Sequence, residues 1–283
     1  MANTTTEKHV LGLSGGRDSA ALAVFMRETY PDLDLEYFFT DTGKELPEVY
    51  DFLGRLEGFL GKPIRRLNPD HDFDFWLREY GHFLPSAKTR WCTRQLKLKP
   101  FEDWLKPHLE DGISVSSYVA IRADEPERLG YHATHPNLKV KYPFREHGID
   151  KAGVIDLLNS SDLGLPDYYR WRSRSGCTFC FFQQKIEWVR LKREHPDAFE
   201  EAKSYEKTAL EHGSPFTWSD GESLDELERP ARVAAIEADY EKRVERARAR
   251  RPKNALREGL EDIEIDEAYG VPEVAASCII CHK

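Results

Sequence analysis

His9-Val10-Leu11-Gly12-Leu13-Ser14-Gly15-Gly16-Arg17-Asp18-Ser19-Ala20-Ala21-Leu22 reads as a short apolar strand, a glycine turn and the start of a helix. A turn of this composition, at the carboxyl end of a strand, lies where open α/β sheets place their ligands. Two glycines let the backbone approach an anion closely, and the hydroxyls of Ser14 and Ser19 add donors. A helix beginning near Asp18 contributes free N–H groups and the positive end of its dipole. The segment reads as a phosphate cradle. It lacks the Gly-Lys-Ser/Thr ending of a Walker loop and is not the Gly-x-Gly-x-x-Gly dinucleotide fingerprint. An ordinary glycine turn capping a helix is the simpler alternative.

Working outward, Leu35 to Phe39 is a second strand ending in Thr40-Asp41-Thr42-Gly43, and Glu45 to Leu60 has helical periodicity through Val49, Phe52, Leu53, Leu56 and Phe59. Pro63 to Leu67 and Ile113 to Ile121 read as further strands and Lys97 to Leu105 as a helix. The alternation predicts an α/β fold, a parallel sheet with helices on both faces. Beyond about residue 150 helical patterns take over, at Val154 to Leu158, Ile186 to Lys192, Pro196 to Leu210 and Arg232 to Arg248, with polar Trp218 to Arg229 as a loop or linker. Two domains are expected: 1–150, a nucleotide-binding α/β domain, and 151–283, mostly helical and ending in a cysteine-containing tail.

Of 283 residues, 40% are hydrophobic and 32% charged, and no apolar run reaches the roughly 18 residues of a membrane span. Met1 to Lys8 is polar and lacks the basic and small-residue marks of a secretory signal, so a cytoplasmic protein is expected. The net charge is −9, so any nucleic-acid contact must come from a local patch. Four of the five cysteines form Cys-x-x-Cys pairs, Cys177 with Cys180 and Cys278 with Cys281. In a reducing compartment that pattern points to metal, cluster or redox chemistry.

Ser14-Gly15-Gly16-Arg17-Asp18-Ser19 resembles the PP-loop of the adenine nucleotide alpha-hydrolase superfamily, and four later segments resemble its PAPS reductase-like branch. These are Phe39-Thr40-Asp41-Thr42-Gly43 with Pro47-Glu48, Arg90-Trp91-Cys92-Thr93 with Lys97 and Pro100, Ile121-Arg122-Ala123-Asp124-Glu125 with Arg128, and Gly176-Cys177-Thr178-Phe179-Cys180. They occur in order between about residues 8 and 210. The resemblance implies that Ser14, Gly15, Gly16, Arg17, Asp18 and Ser19, with Asp41, Thr42 and Gly43, bind ATP and its Mg²⁺. Asp41 also reads as a simple turn aspartate. Asp18, Arg90 and Arg122 are the candidate catalytic residues, the two arginines facing a triphosphate or a departing pyrophosphate. Lys88, Arg94 and Lys97 add positive charge.

The same resemblance makes Cys92, Cys177 and Cys180 thiolate ligands of a [4Fe-4S] cluster. Residue 91 is Trp where the branch often has a second cysteine, so Cys281, Cys278 or an exogenous sulfur is the fourth ligand. Zinc is the alternative, but the two Cys-x-x-Cys pairs are 101 residues apart, against the roughly 15 to 20 of a zinc ribbon, and zinc leaves Cys92 unexplained. The terminal pair also reads as a thiol arm carrying a persulfide or reducing a disulfide. Sulfonucleotide reductases carry a single nucleophilic cysteine in a Glu-Cys-Gly-x-His tail. This tail instead reads Cys278-Ile279-Ile280-Cys281-His282-Lys283.

Lys242 to Lys253 concentrates seven basic residues in 12 positions, a stripe able to track a phosphate backbone or to pair with Glu241 and Glu245. Arg170-Trp171-Arg172-Ser173-Arg174 combines charge with an aromatic that could stack on a base. With the variant tail, these patches are similar to the PAPS reductase-like component of DNA phosphorothioation systems, the DndC/SspD type. That resemblance implies an ATP pyrophosphatase and sulfurtransferase of antiviral defence, with DNA ahead of tRNA as acceptor. A cysteine desulfurase would be the sulfur donor and further components of a modification system its partners. The alternatives are a PAPS or APS reductase releasing sulfite, a tRNA-thiolating enzyme, or a non-catalytic Cys-metal nucleic-acid-binding module.

Overall fold

The computed structural model describes residues 7–130, 133, 135–214, 216–219, 221–251 and 263–270. Its centre is a five-stranded, wholly parallel sheet in the order β3-β2-β1-β4-β5, from β1 (Glu7–Leu13), β2 (Leu35–Thr40), β3 (Ile64–Leu67), β4 (Ser114–Tyr118) and β5 (Leu138–Lys141). The expected α/β architecture is therefore present. β5 is short and half polar, Leu-Lys-Val-Lys, and carried too little pattern to be read from sequence. The chain leaves β1 toward β2 and later returns to its other side as β4. β1 is thus the point where the strand order reverses, and its carboxyl end opens onto a crevice.

Alternation along β1 and β2 sends side chains to opposite faces. Val10 and Phe38 join Leu67, Phe101, Leu105, Val115 and Leu138 under one face, while Leu11, Leu13, Tyr37 and Phe39 enter the larger core on the other. That larger face is covered by α1 (Arg17–Thr29), buried almost all round, and by α2 (Pro47–Leu60), whose Val49, Phe52, Leu53, Leu56 and Leu60 form its apolar stripe. Proline starts α2 and Gly61, in the left-handed conformation, ends it. A short α3 (Phe73–Glu79) follows. Then α4 (Trp91–Thr93), a π-helical turn (Arg94–Leu98) and α5 (Lys99–Glu110) run on in sequence, with α5 covering the smaller core.

The helical half begins with α6 (Pro143–Glu146) and α7 (Lys151–Ser160), the latter capped by the Asp150 side chain and packed on α1. It continues through α8 (Lys185–Glu194), α9 (Pro196–Glu211), α10 (Leu224–Leu227), α11 (Pro230–Arg250) and α12 (Ile265–Tyr269). The larger core extends into these helices through Trp188, Phe199, Trp218, Leu224 and Ile236. Trp218 to Arg229, expected as a loop, contains α10 and buries Trp218, Leu224 and Leu227 completely or nearly so. Its acidic residues cap and pair at the surface while three apolar side chains anchor it. None of the described helices is long and apolar enough to cross a membrane.

Candidate functional site

The loop after β1 is shaped by sterics. Gly15 has φ +69°, and a Cβ there would lie 2.4 Å from Cγ1 of the buried Val49 on α2. Only glycine meets both conditions. The Ser14 N–H donates to Ser19 Oγ at 3.1 Å, the Gly16 N–H to Ser14 Oγ at 3.3 Å and the Arg17 N–H to the Tyr169 hydroxyl at 3.4 Å. Tyr168, stacked on Tyr169, donates its hydroxyl to the Gly15 carbonyl at 3.3 Å, and burial pushes its phenol far up. Gly16 caps α1 in extended conformation, so the free end of the helix points into the crevice.

Two of the expected catalytic residues meet here. Asp18, in the first turn of α1, pairs with Arg122 at 3.3 Å, both side chains 3% exposed. Arg122 is also gripped by Asp124 at 2.9 Å, and its backbone N–H donates to Glu125 at 3.0 Å. Arg90 lies elsewhere, over the ring of Phe182 at 4.9 Å. The Arg17 side chain turns away from the loop and makes a two-pronged pair with Glu264, at 2.7 and 3.2 Å.

Asp41 adopts the turn geometry: one oxygen accepts from the Gly43 N–H at 2.9 Å and the Tyr50 hydroxyl at 2.8 Å, the other faces Arg66 at 3.8 Å. Thr42 donates to Glu45 at 3.0 Å. This loop is stitched to the cysteine segment by two backbone hydrogen bonds of 2.7 Å, Leu46 N–H to the Gly176 carbonyl and Thr178 N–H to the Lys44 carbonyl. A Cβ on Gly176 would meet Val49 Cγ2 at 2.5 Å, so Val49 is wedged between the phosphate loop and the cysteine loop.

Cys177 Sγ lies 3.4 Å from Glu45 and 3.7 Å from Lys97 Nζ, and Lys97 is 3.7 Å from Glu45. Burial pushes the Cys177 thiol far up; Glu45, Cys180 and Cys92 add to the push and Lys97 opposes it. Cys92, Cys177 and Cys180, all half-buried, thus lie close enough to interact electrostatically, with the Lys97 ammonium beside Cys177. In kind, this soft donor set fits an iron–sulfur group. Among the described residues no group of three or more His, Cys, Asp or Glu is arranged to hold a metal ion. Cys278 and Cys281 lie outside the described residues. Trp91, in place of a second cysteine, is a core side chain stacked on Tyr80 at 5.4 Å.

Two basic segments differ from their sequence reading. Trp171 and Arg172 are 6% and 1% exposed, which removes Trp171 as a base-stacking platform, and Arg174 pairs with Asp266 at 2.6 Å. On α11, Arg243 pairs with Asp239 at 2.7 Å rather than with Glu241 or Glu245, while Arg246, Arg248 and Arg250 are exposed. Lys253 lies outside the described residues. Glu45, Tyr168, Tyr169 and Glu264 were not foreseen. They reach the site across long stretches of chain, and no local pattern marks them.

In sequence, a relative is the uncharacterized nin region protein ORF290 of Escherichia phage lambda, 27% identical over 201 residues, covering 61% of this chain and 65% of that protein. The match thus spans just under two thirds of that relative's length. Among solved structures, the phosphoadenylyl-sulfate reductase of Candida auris aligns at TM-score 0.47 and 15% identity, over 62% of this chain and 84% of that one. The U34-tRNA thiolase NcsA of Methanococcus maripaludis, with its [4Fe-4S] cluster, aligns at TM-score 0.38 and 16% identity, over 80% and 81%. Residues 8–129, from the first residues of β1 through the Arg122 and Arg128 network, match the phosphoadenosine phosphosulfate reductase domain family.

Proposed function

We propose that this chain is an ATP pyrophosphatase of the PP-loop kind that acts as a sulfurtransferase, activating a DNA backbone phosphate for phosphorothioation. The observation that carries the reading is the Val49 wedge, which sets the glycine loop after β1 and the loop of half-buried Cys177 against the same side chain. One crevice then serves phosphate activation and sulfur delivery.

An acceptor oxygen attacks the α-phosphorus of ATP, and the bond to pyrophosphate breaks. Such a step needs alignment and charge stabilisation more than covalent help. The backbone N–H groups of Ser14, Gly16 and Arg17 and the start of α1 cradle the phosphates. Asp18 holds Arg122 at the crevice, where this arginine is the cation proposed to meet the departing pyrophosphate. Mg²⁺, bound with ATP beside Asp41, Thr42 and Gly43, supplies further neutralisation. Cys92, Cys177 and Cys180, with Cys281 or Cys278 as fourth ligand, would hold an iron–sulfur group, which would supply the sulfur-handling chemistry. Lys97, beside Cys177 Sγ at 3.7 Å, would offset the charge of its thiolate. A cysteine desulfurase is the proposed sulfur source.

The test is AMP and pyrophosphate release from ATP by anaerobically purified protein, with and without DNA. The expected result is release that disappears in Ser14→Ala; none under any condition refutes the reading. A second reading, sulfonucleotide reduction, is favoured by the family match over residues 8–129, and sulfite release from PAPS or APS is its test.

A further inference from the structure

Beside the loop after β1 lies a cavity of about 1080 Å³. Its walls are α7, the Tyr169 to Ser173 segment, α8, α11 and the strip Ile263 to Ile265; of its described lining only Arg17 and Asp124 fall within residues 8–129. It is built by the helical half of this chain. The volume is at the upper end of small-ligand sites.

Its described lining carries seven Arg or Lys side chains against five carboxylates, of which Glu264 is clamped between two cations. The Glu264 carboxylate bridges Arg17, at 2.7 and 3.2 Å, and Lys151 Nζ at 3.0 Å. Burial works to raise this carboxyl, but Arg17 and then Lys151 outweigh it and hold it below the usual range. Around the pair stand three arginines with no carboxylate within ion-pair distance among the described residues. Arg172 is 1% exposed; one Nη donates to the Thr178 carbonyl at 3.5 Å and the buried Glu187 carboxylate offsets its charge, while its Nε and other Nη have no hydrogen-bond partner among the described residues. Two unmet buried donors are costly unless a ligand completes them. Arg190 lies over the Tyr240 ring at 4.8 Å and donates only to the Trp171 carbonyl. Arg248 is exposed on α11, where Arg246 and Arg250 continue the charge past the cavity rim.

We infer that this cavity receives the phosphodiester backbone of a nucleic-acid strand, and that Glu264 occupies the seat of one of its phosphates between Arg17 and Lys151. A free phosphate would fill the seat but leave Arg190 and the α11 stripe without a role. A strand uses both, releasing counterions as each phosphate is neutralised. The inference deepens the DNA-acceptor reading above, yet strand binding is measured without ATP. Failure to cleave ATP would therefore sink that reading and leave this result standing.

The experiment is fluorescence anisotropy of the full chain with a labelled 20-nucleotide single strand, the matching duplex and, by competition, inorganic phosphate, over a range of salt. Binding to either oligonucleotide with a linear log–log salt dependence is expected, the two probes telling strand from duplex. Glu264→Gln removes the competing charge and should tighten binding roughly tenfold, the worth of one charge-assisted hydrogen bond. Arg248→Ala should flatten the salt slope by roughly 0.7 on single strand or 0.9 on duplex. Arg248 is exposed, so this variant tests the idea even if Glu264→Gln folds poorly. No binding of either probe, an unchanged slope in Arg248→Ala, or phosphate competing at equal concentration would overturn the inference.

Discussion

Val49 offers a way to weigh the two loops of the site against each other. Gly15→Ala introduces two penalties. The residue keeps φ +69°, which costs an L-residue roughly 1–2 kcal/mol. Its Cβ also falls 2.4 Å from Val49 Cγ1, and overpacking of this kind costs roughly 1–3 kcal/mol. Together the loss is about 2–5 kcal/mol. Gly176→Ala meets the same side chain, 2.5 Å from Cγ2, but its backbone is not left-handed. Only the steric part applies, about 1–3 kcal/mol.

Truncating the wedge then separates strain from clash. Val49→Ala alone removes two buried carbons, roughly 0.8 kcal/mol each before any cavity cost. Combined with Gly176→Ala it should return nearly all of that glycine's loss. Combined with Gly15→Ala it should return the steric part and leave the dihedral cost. Urea unfolding of the five variants and the parent gives each difference from the midpoint at constant slope. Coupling energies within about 0.5 kcal/mol of zero for both pairs would mean that the sites are independent. The wedge would then not be what holds the phosphate loop against the cysteine loop.

The Asp18–Arg122 pair should respond unequally to its two halves. Asp18→Asn leaves Arg122 with Asp124 and Glu125, so about 1–2 kcal/mol is expected. Arg122→Ala takes the ion-pair partner from a buried carboxylate and should cost about 3–5 kcal/mol in the same denaturation assay; equal losses would contradict the network. At the surface, the Arg232 hydrogen bond and then Lys185 outweigh burial and hold the Glu222 carboxyl down to about 2, from 4.5. A depressed pKa stabilises the fold above the unfolded value and is lost as pH falls through the folded one, here between about 4.5 and 2. Glu222→Gln should therefore flatten the acid limb of thermal stability in that window, and a limb as steep as the parent's would refute the assignment.

The architecture was legible because its signals are local. The apolar run at His9 to Leu13, the glycine turn and the Val49, Phe52, Leu53, Leu56 periodicity each declare one element, and alternation of such elements implies a parallel sheet. Motif order singles out Ser14 to Ser19, Asp18 and Arg122 one by one, but not that Asp18 and Arg122 pair with each other. The Arg17–Glu264 pair was not legible either, since its partners are 247 positions apart. Nor was the burial of Trp171, because Arg170 to Arg174 looks basic and exposed until Asp266 and Glu187 come to meet it. Composition reports charge, while burial depends on which distant carboxylate arrives.

On the proposed reading the loop after β1 binds an ATP phosphate, and its own partners set how. Arg17 and Arg122, the nearest cations, already face Glu264, Asp18 and Asp124. The cradle's attraction for phosphate therefore rests on backbone N–H groups and the α1 dipole. Several of those N–H groups are occupied by the protein's own hydroxyls, with the Tyr169 bond at 3.4 Å the longest of the three. A phosphate has to displace them, and a stronger acceptor wins because charge-assisted bonds exceed neutral ones about twofold. Tyr169→Phe removes one competitor while keeping the ring over which Arg17 lies at 5.1 Å. A neutral hydrogen bond is worth about 0.5–1.5 kcal/mol net, so ATP should bind roughly two- to tenfold tighter to the variant by calorimetry. Weaker binding would show instead that the Tyr169 hydroxyl holds the Arg17 N–H in place for the phosphate, and that the loop is preorganised rather than self-occupied.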